Sequence, residues 1–198
     1  NADGNGNRFN ASYIGQNAGG NVGFSIGYSH SDTPIQEEQV GLYEPWQAIG
    51  DNWRPGVAAG TYYSDGIKAL RRTGYTKRDG VMGTLEFRNA GSWISTFDLF
   101  YSKAHQENTA NQFEVHIGDY NGGFDRLVVD GAQVNGNGTF TGGTAGNVYP
   151  LVRGMYNDRE DTIRALGWRN EFVIGMADLM FDLNWSRADR DELNLENN

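Results

Sequence analysis

Residues 21–30 read NVGFSIGYSH. Taking every second residue splits the stretch in two. Val22, Phe24, Ile26, Tyr28 and His30 fall on one side, and Gly23, Ser25, Gly27 and Ser29 on the other. Period-two alternation is the mark of a β-strand with two unlike faces. Here one face is bulky and greasy and the other tiny and polar. A soluble sandwich strand usually carries Lys, Glu or Thr toward water, so a row of Gly and Ser raises the question of which face is wet.

The pattern recurs along the chain. Residues 8–16 form a weaker strand with Phe9, Ala11 and Tyr13 in phase, and the turn Asn17-Ala18-Gly19-Gly20 joins it to the opening stretch. An irregular region spans about 32–73. Residues 74–88 alternate again, with Val81, Gly83, Leu85 and Phe87 opposite Met82, Thr84, Glu86 and Arg88. After the short turn Asn89-Ala90-Gly91-Ser92, residues 93–105 place Trp93, Phe97, Leu99 and Tyr101 together against Thr96, Asp98 and Ser102, with Phe100 as an exception. A second long region, about 106–160, is rich in Gly, Asn and Asp. Residues 162–172 follow with Leu166, Trp168 and Phe172 in phase. A turn near Ile174-Gly175 leads to a last strand with Leu179, Phe181, Leu183 and Trp185 opposite Asp178, Asp182, Asn184 and Ser186.

The chain has 198 residues, 13% aromatic, with 28 Gly, four Pro and no Cys. Aromatics favour strands, while Gly, Asn and Asp favour turns. A net charge of −9 argues against nucleic acid as a partner. Without cysteine there is neither a disulfide framework nor a thiolate metal site. No signal-peptide pattern stands at the start of the sequence, and no apolar run reaches the ~20 residues of a membrane helix. A transmembrane β-strand needs only ~9–11 residues, every second one greasy, so its hydropathy averages to nearly neutral.

Connections between strands alternate short, long, short, long, short. A soluble meander has no reason to lengthen every second loop, whereas an outer-membrane barrel has short periplasmic turns and long extracellular loops. The pattern therefore predicts an all-β, antiparallel transmembrane β-barrel segment of about six strands with two long extracellular loops, in the bacterial outer membrane. The greasy face then meets lipid: Phe24, Ile26, Tyr28, Leu85, Phe87, Trp93, Phe97, Leu99, Tyr101, Leu179, Phe181, Leu183 and Trp185. The strands at 22–31, 93–105 and 178–187 run outward, so Tyr28, Tyr101 and Trp185 fall at one interface and Phe87, Trp93 and Phe172 at the other, as two aromatic girdles. Glu86, Arg88, Asp98, Asp178 and Asp182 point into the lumen, as solvated wall. The alternative is a soluble extracellular glycan-binding β-domain in which the same aromatics are core.

Single-chain barrels start at eight strands, and lipid tolerates no open sheet edge. Residues 1–198 are thus expected to be part of one larger barrel domain. The runs GFSIGYSHSDTPIQEEQ (23–39), TKRDGVMGTLEFR (76–88), STFDLFYSKAHQ (95–106), TIRALGWRNEF (162–172) and DLNWSRADRDE (182–192) resemble the barrel of TonB-dependent outer-membrane receptors. The resemblance is to the large proteobacterial type often linked to saccharide uptake, and covers nearly the whole chain. It implies a 22-stranded barrel, an N-terminal plug in the lumen, and TonB pulling on that plug to admit a ligand bound outside. No plug or TonB box is recognisable here. The expected function is active uptake of a nutrient, an oligosaccharide first and a ferric siderophore second.

Ligand-binding candidates lie in the long regions: Tyr43, Trp46, Trp53, Tyr62, Tyr63 and Asp65 in the first, with Asp51, and Tyr120, Asp125, Tyr149 and Tyr156 in the second, with Arg126 and Asn157. Sugar C–H faces stack on rings, and hydroxyls bond to carboxylates and amides. The competing role of each aromatic is to pack one loop against another. GNGTFTGGTAGN (136–147) lacks the GK[ST] ending and following helix of a phosphate loop, and reads as turns and flexible loop. Asp3-Gly4-Asn5-Gly6-Asn7 lacks the distal Glu of a calcium loop. His30, His105 and His116 are scattered and suggest no metal site. Ser29 and His30 point to opposite faces, a poor geometry for a nucleophile and its base. No enzyme activity and no cofactor are expected.

Overall fold

The computed structural model describes residues 4–42, 46–50, 55–64, 66–89, 91–116 and 128–197. The strands are β1 (Asn7–Gln16), β2 (Val22–Leu42), β3 (Gln47–Ala48), β4 (Tyr62–Tyr63), β5 (Gly66–Arg88), β6 (Trp93–His116), β7 (Val128–Val134), β8 (Phe140–Gly146), β9 (Leu151–Ile174) and β10 (Ala177–Asn197). No helix occurs among the described residues, and so none long and apolar enough to cross a membrane; β-strands are a separate matter. A six-stranded sheet runs in the order β1-β2-β5-β6-β9-β10, with β3-β4 and β7-β8 as separate pairs. The six predicted strands are these six, each neighbour in the sheet being the next long strand in the chain.

Pairing in antiparallel register carries the alternation from strand to strand. β1 meets β2 with Tyr13 opposite Ile26, Ala11 opposite Tyr28 and Phe9 opposite His30, so the greasy residues of both share a face. Each short turn has one glycine in the left-handed region, Gly20 (φ +66°), Gly91 (φ +101°) and Gly175 (φ +64°), where a side chain is strained. Asparagine side chains close two of the turns. Asn17 Oδ1 accepts the N–H groups of Asn21 and Val22 at 3.1 Å, and Asn89 Oδ1 accepts the Ser92 N–H at 3.2 Å.

The strands are longer than the alternation suggested. The expected irregular regions at 32–73 and 106–160 are partly strand, because β2 continues to Leu42, β5 begins at Gly66, β6 ends at His116 and β9 begins at Leu151. The greasy phase ends early, but cross-strand charge pairs such as Arg72–Glu37 (2.8 Å) and Arg71–Glu38 (3.6 Å) join the added length. The Gly-rich stretch 136–147 is also corrected: after a turn closed by Asn135 it becomes strand β8, paired with β7.

The chain divides into two compact units. Unit 1 (1–35, 73–108 and 156–194) contains every greasy window of the six long strands. It has almost no interior, for Ala104 is the only buried apolar residue described in it. Unit 2 (36–72, 109–155 and 195–198) has a small core of Ile49, Tyr63, Ala110 and Val129. There the Tyr63 ring lies 4.7 Å from that of Phe140, and the Tyr62 N–H donates to Gly138 O at 2.8 Å.

Candidate functional site

The greasy windows of unit 1 are Phe24–Tyr28, Val81–Phe87, Trp93–Tyr101, Leu166–Phe172 and Leu179–Trp185. Nothing among the described residues covers them. Phe24 is 41% exposed, Leu99 48%, Phe181 48% and Leu183 52%. An open groove of about 870 Å³ crosses this face, lined by Phe24, Ile26, Leu85, Phe97, Leu99, Leu166, Trp168, Leu183 and Trp185 together with residues between them in the alternation.

Within these windows two residues of this phase are polar, and both are buried: Ser95 (2% exposed) and Asn170 (4%). An indole caps each. Trp168 Nε1 donates to Ser95 Oγ at 3.0 Å and Trp93 Nε1 to Asn170 Oδ1 at 3.3 Å. A buried hydroxyl or amide needs such a partner. The Trp168 ring in turn stacks on Phe97 (5.7 Å, 10°) and meets Phe181 edge-on (6.0 Å).

Just beyond the greasy windows, on the same phase, the face becomes ionic. Tyr28 donates its hydroxyl to Asp79 at 2.6 Å, and His30 Nδ1 lies 2.8 Å from the same oxygen. Lys103 pairs with Glu160 (2.9 Å), His105 with Asp158 (2.8 Å), and Arg164 and Arg187 both with Asp189 (3.0 and 2.7 Å). Hydrogen bonds from Tyr28 and then His30 hold the Asp79 carboxyl below its ordinary range. A hydrogen bond to Glu107 pushes the Tyr75 phenol up to about 12. His30 and His105 are thus each matched to a carboxylate on the neighbouring strand, a pairing that sequence reasoning missed. Its one signal was position, since both histidines end greasy runs in phase with an acidic residue of the next strand.

The opposite face is mostly polar, with Met82, Phe100, Ile163, Val173 and Met180 as exposed apolar exceptions. Thr84 donates to Asp98 (2.7 Å), Asn184 to Asp182 (2.7 Å), Arg88 pairs with Glu86, and Arg159 and Arg190 share Asp161 (3.0 and 2.6 Å). Gly27 leaves room for Met82, whose Cγ lies 3.1 Å from where a Cβ would stand.

No family model matches the chain, nor does any curated protein or solved structure.

The aromatic candidates separate on burial. In unit 2, β3 pairs with β4 so that Ala48 lies opposite Tyr62 and Gln47 opposite Tyr63. Trp46, two positions before Ala48, shares the phase of Tyr62; they are 46% and 50% exposed. Tyr63, on the other phase, is 2% exposed and belongs to the core. Tyr149 is 46% exposed. Tyr156 is not a loop residue: it sits half-buried within β9, where burial and then Glu107 raise its phenol. Tyr43, Trp53, Asp65, Tyr120 and Asp125 lie outside the described residues, as do Asp51 and Arg126. Among the described residues no cluster of three or more His, Asp or Glu side chains could hold a metal ion.

Proposed function

We propose that the chain is a stretch of outer-membrane β-barrel wall from a TonB-dependent receptor, and that it serves active uptake of an oligosaccharide. The observation that carries this is the greasy face of unit 1: five adjacent strands present uncovered Phe, Leu and Trp side chains, followed on the same phase by paired charges. Hydrocarbon against one side and water or a plug against the other accounts for both halves of the alternation. The sheet order supports it too, because neighbours joined alternately by short turns and long connections are what an up-and-down barrel requires. On this reading β1 and β10 continue into further strands, since unpaired sheet edges are not tolerated in hydrocarbon. The saccharide assignment rests on the exposed Tyr62 of β4 and the exposed Trp46 just before β3.

The membrane part is tested by reconstitution in vesicles containing brominated lipid. Trp93, Trp168 and Trp185 should be quenched; fluorescence indifferent to bromine would overturn the barrel assignment. Binding is tested with a panel of oligosaccharides and iron chelates. Saturable sugar binding weakened by Trp46→Ala and Tyr62→Ala is expected, whereas tight binding of an iron complex without saturation by any sugar would replace the saccharide with a siderophore.

A further inference from the structure

We propose that the lipid face of unit 1 holds a specific site for an anionic, acylated lipid, with its phosphate on Arg164 and Arg187 and its chain in the groove beside Leu166 and Trp185, an inference that rests on the membrane placement proposed for this face. Arg164 Nη1 and Arg187 Nη2 reach the two oxygens of one carboxylate, Asp189, at 3.0 and 2.7 Å. Two guanidiniums and one carboxylate leave the cluster net cationic, in a chain whose net charge is −9. Each guanidinium has five N–H donors. Asp189 engages one nitrogen of Arg164 and, through Nε and Nη2, two of Arg187. The side chains remain 49% and 64% exposed, so donors are accessible from outside. Their planar forks suit phosphate oxygens better than a lysine ammonium would.

Position selects a lipid over a free anion. Arg164 is two residues from Leu166 on β9, and Arg187 two residues from Trp185 on β10, so each stands one same-face step from the groove lining. That step is about 6.6 Å, so a headgroup on the arginines puts its glycerol or sugar over Leu166 and Trp185 and its chain in the groove. Further along this phase, Glu160 of β9 is already paired with Lys103 at 2.9 Å, and Asp191 of β10 stands one same-face step beyond Asp189. Asp189 also orients both arginines: Arg187 raises no question of protonation, since its hydrogen bond to Asp189 moves it further up.

The test uses the protein in phosphatidylcholine vesicles doped with brominated phosphatidylglycerol, reading quenching of Trp168 and Trp185. At low salt the unchanged protein should prefer the anionic lipid by on the order of tenfold, with the preference falling as salt rises. Arg164→Gln/Arg187→Gln should abolish the preference while quenching by brominated phosphatidylcholine persists, which shows that the strands are still inserted. Asp189→Asn, which removes the competing carboxylate, should strengthen it. A preference unchanged in the double variant, or one erased by millimolar inorganic phosphate, overturns the site alone. No quenching by either brominated lipid in the unchanged protein overturns the membrane placement, and the site with it.

Discussion

The Trp168 indole donates its N–H to the Ser95 hydroxyl at 3.0 Å, across neighbouring strands and on the greasy face of the sheet. A serine in that phase would otherwise leave an unpaired hydroxyl among greasy side chains. The indole supplies the partner and covers it, leaving Ser95 2% exposed while Trp168 itself is 39% exposed. Trp93 does the same for the Asn170 side-chain oxygen, while Asn170 Nδ2 stays buried without a partner among the described residues. The polar breaks in the alternation, Ser95 and Asn170, are therefore each covered by an aromatic of the same face.

Trp168→Phe keeps a ring to stack on Phe97 and removes only the donor. It is expected to destabilise the protein by about 1–2 kcal/mol, the usual cost of leaving a buried hydroxyl without its partner. Adding Ser95→Ala should recover much of that loss. Urea titrations in detergent of both single variants and the double variant measure the coupling. Strictly additive losses would mean that the bond contributes nothing.

Much of the sheet was legible in the sequence because one face is greasy and the other is not. From Phe24 to Tyr28, or Leu179 to Trp185, alternation fixes strand, face and phase together. Past Ser31 that signal stops: in Thr33–Gln39 the two apolar residues, Pro34 and Ile35, fall on opposite faces, and the continuation of β2 is stabilised by partners such as Arg72 that lie 35 positions away from Glu37. Such pairs are invisible until the register is known. Adjacent Tyr62 and Tyr63 show the same limit at the candidate site. Nothing local distinguishes them, yet pairing with β3 leaves one exposed and buries the other.

Leu183→Arg places a charge in the middle of the last greasy window, and Asn184→Arg places it one residue on, upon the polar face. With hydrocarbon against the greasy face, Leu183→Arg costs about 2–4 kcal/mol and Asn184→Arg no more than about 0.5 kcal/mol. Refolding into vesicles at increasing urea compares them directly. Equal tolerance of the two arginines would remove the basis for assigning either face to lipid.

Gly56 has φ +90°, and a Cβ built there would lie 1.7 Å from the Val129 carbonyl oxygen. Gly60 has φ +80° but open space around it. Gly60→Ala therefore bears only backbone strain, about 1 kcal/mol. Gly56→Ala must also displace the backbone that buries Val129 and breaks its N–H bond to Pro55 O, for a loss of at least about 2 kcal/mol in the local packing of unit 2. Limited proteolysis should show faster cutting near 128–146 in Gly56→Ala and little change in Gly60→Ala. Matching cleavage rates would place the cost in φ alone.

At Asp79 the charged carboxylate is stabilised by its neighbours, so acid should remove that contribution. Its folded pKa is depressed by hydrogen bonds from Tyr28 and His30. Between that value and the ordinary carboxylate pKa of about 3.9, the unfolded chain binds more protons than the folded one, so stability rises with pH. The contribution is complete above the ordinary range and is lost as pH falls through the depressed folded value. Asp79→Asn has no such titration. The difference in unfolding midpoint between unchanged protein and Asp79→Asn should be constant near neutrality and shrink in acid; because Asp79 is half exposed, it should also be small. Tyr28→Phe removes the stronger of the two hydrogen bonds and should narrow the window in which the difference changes. A difference that grows as the solution is acidified has the opposite sign and would show that the carboxylate is not stabilised by the folded state.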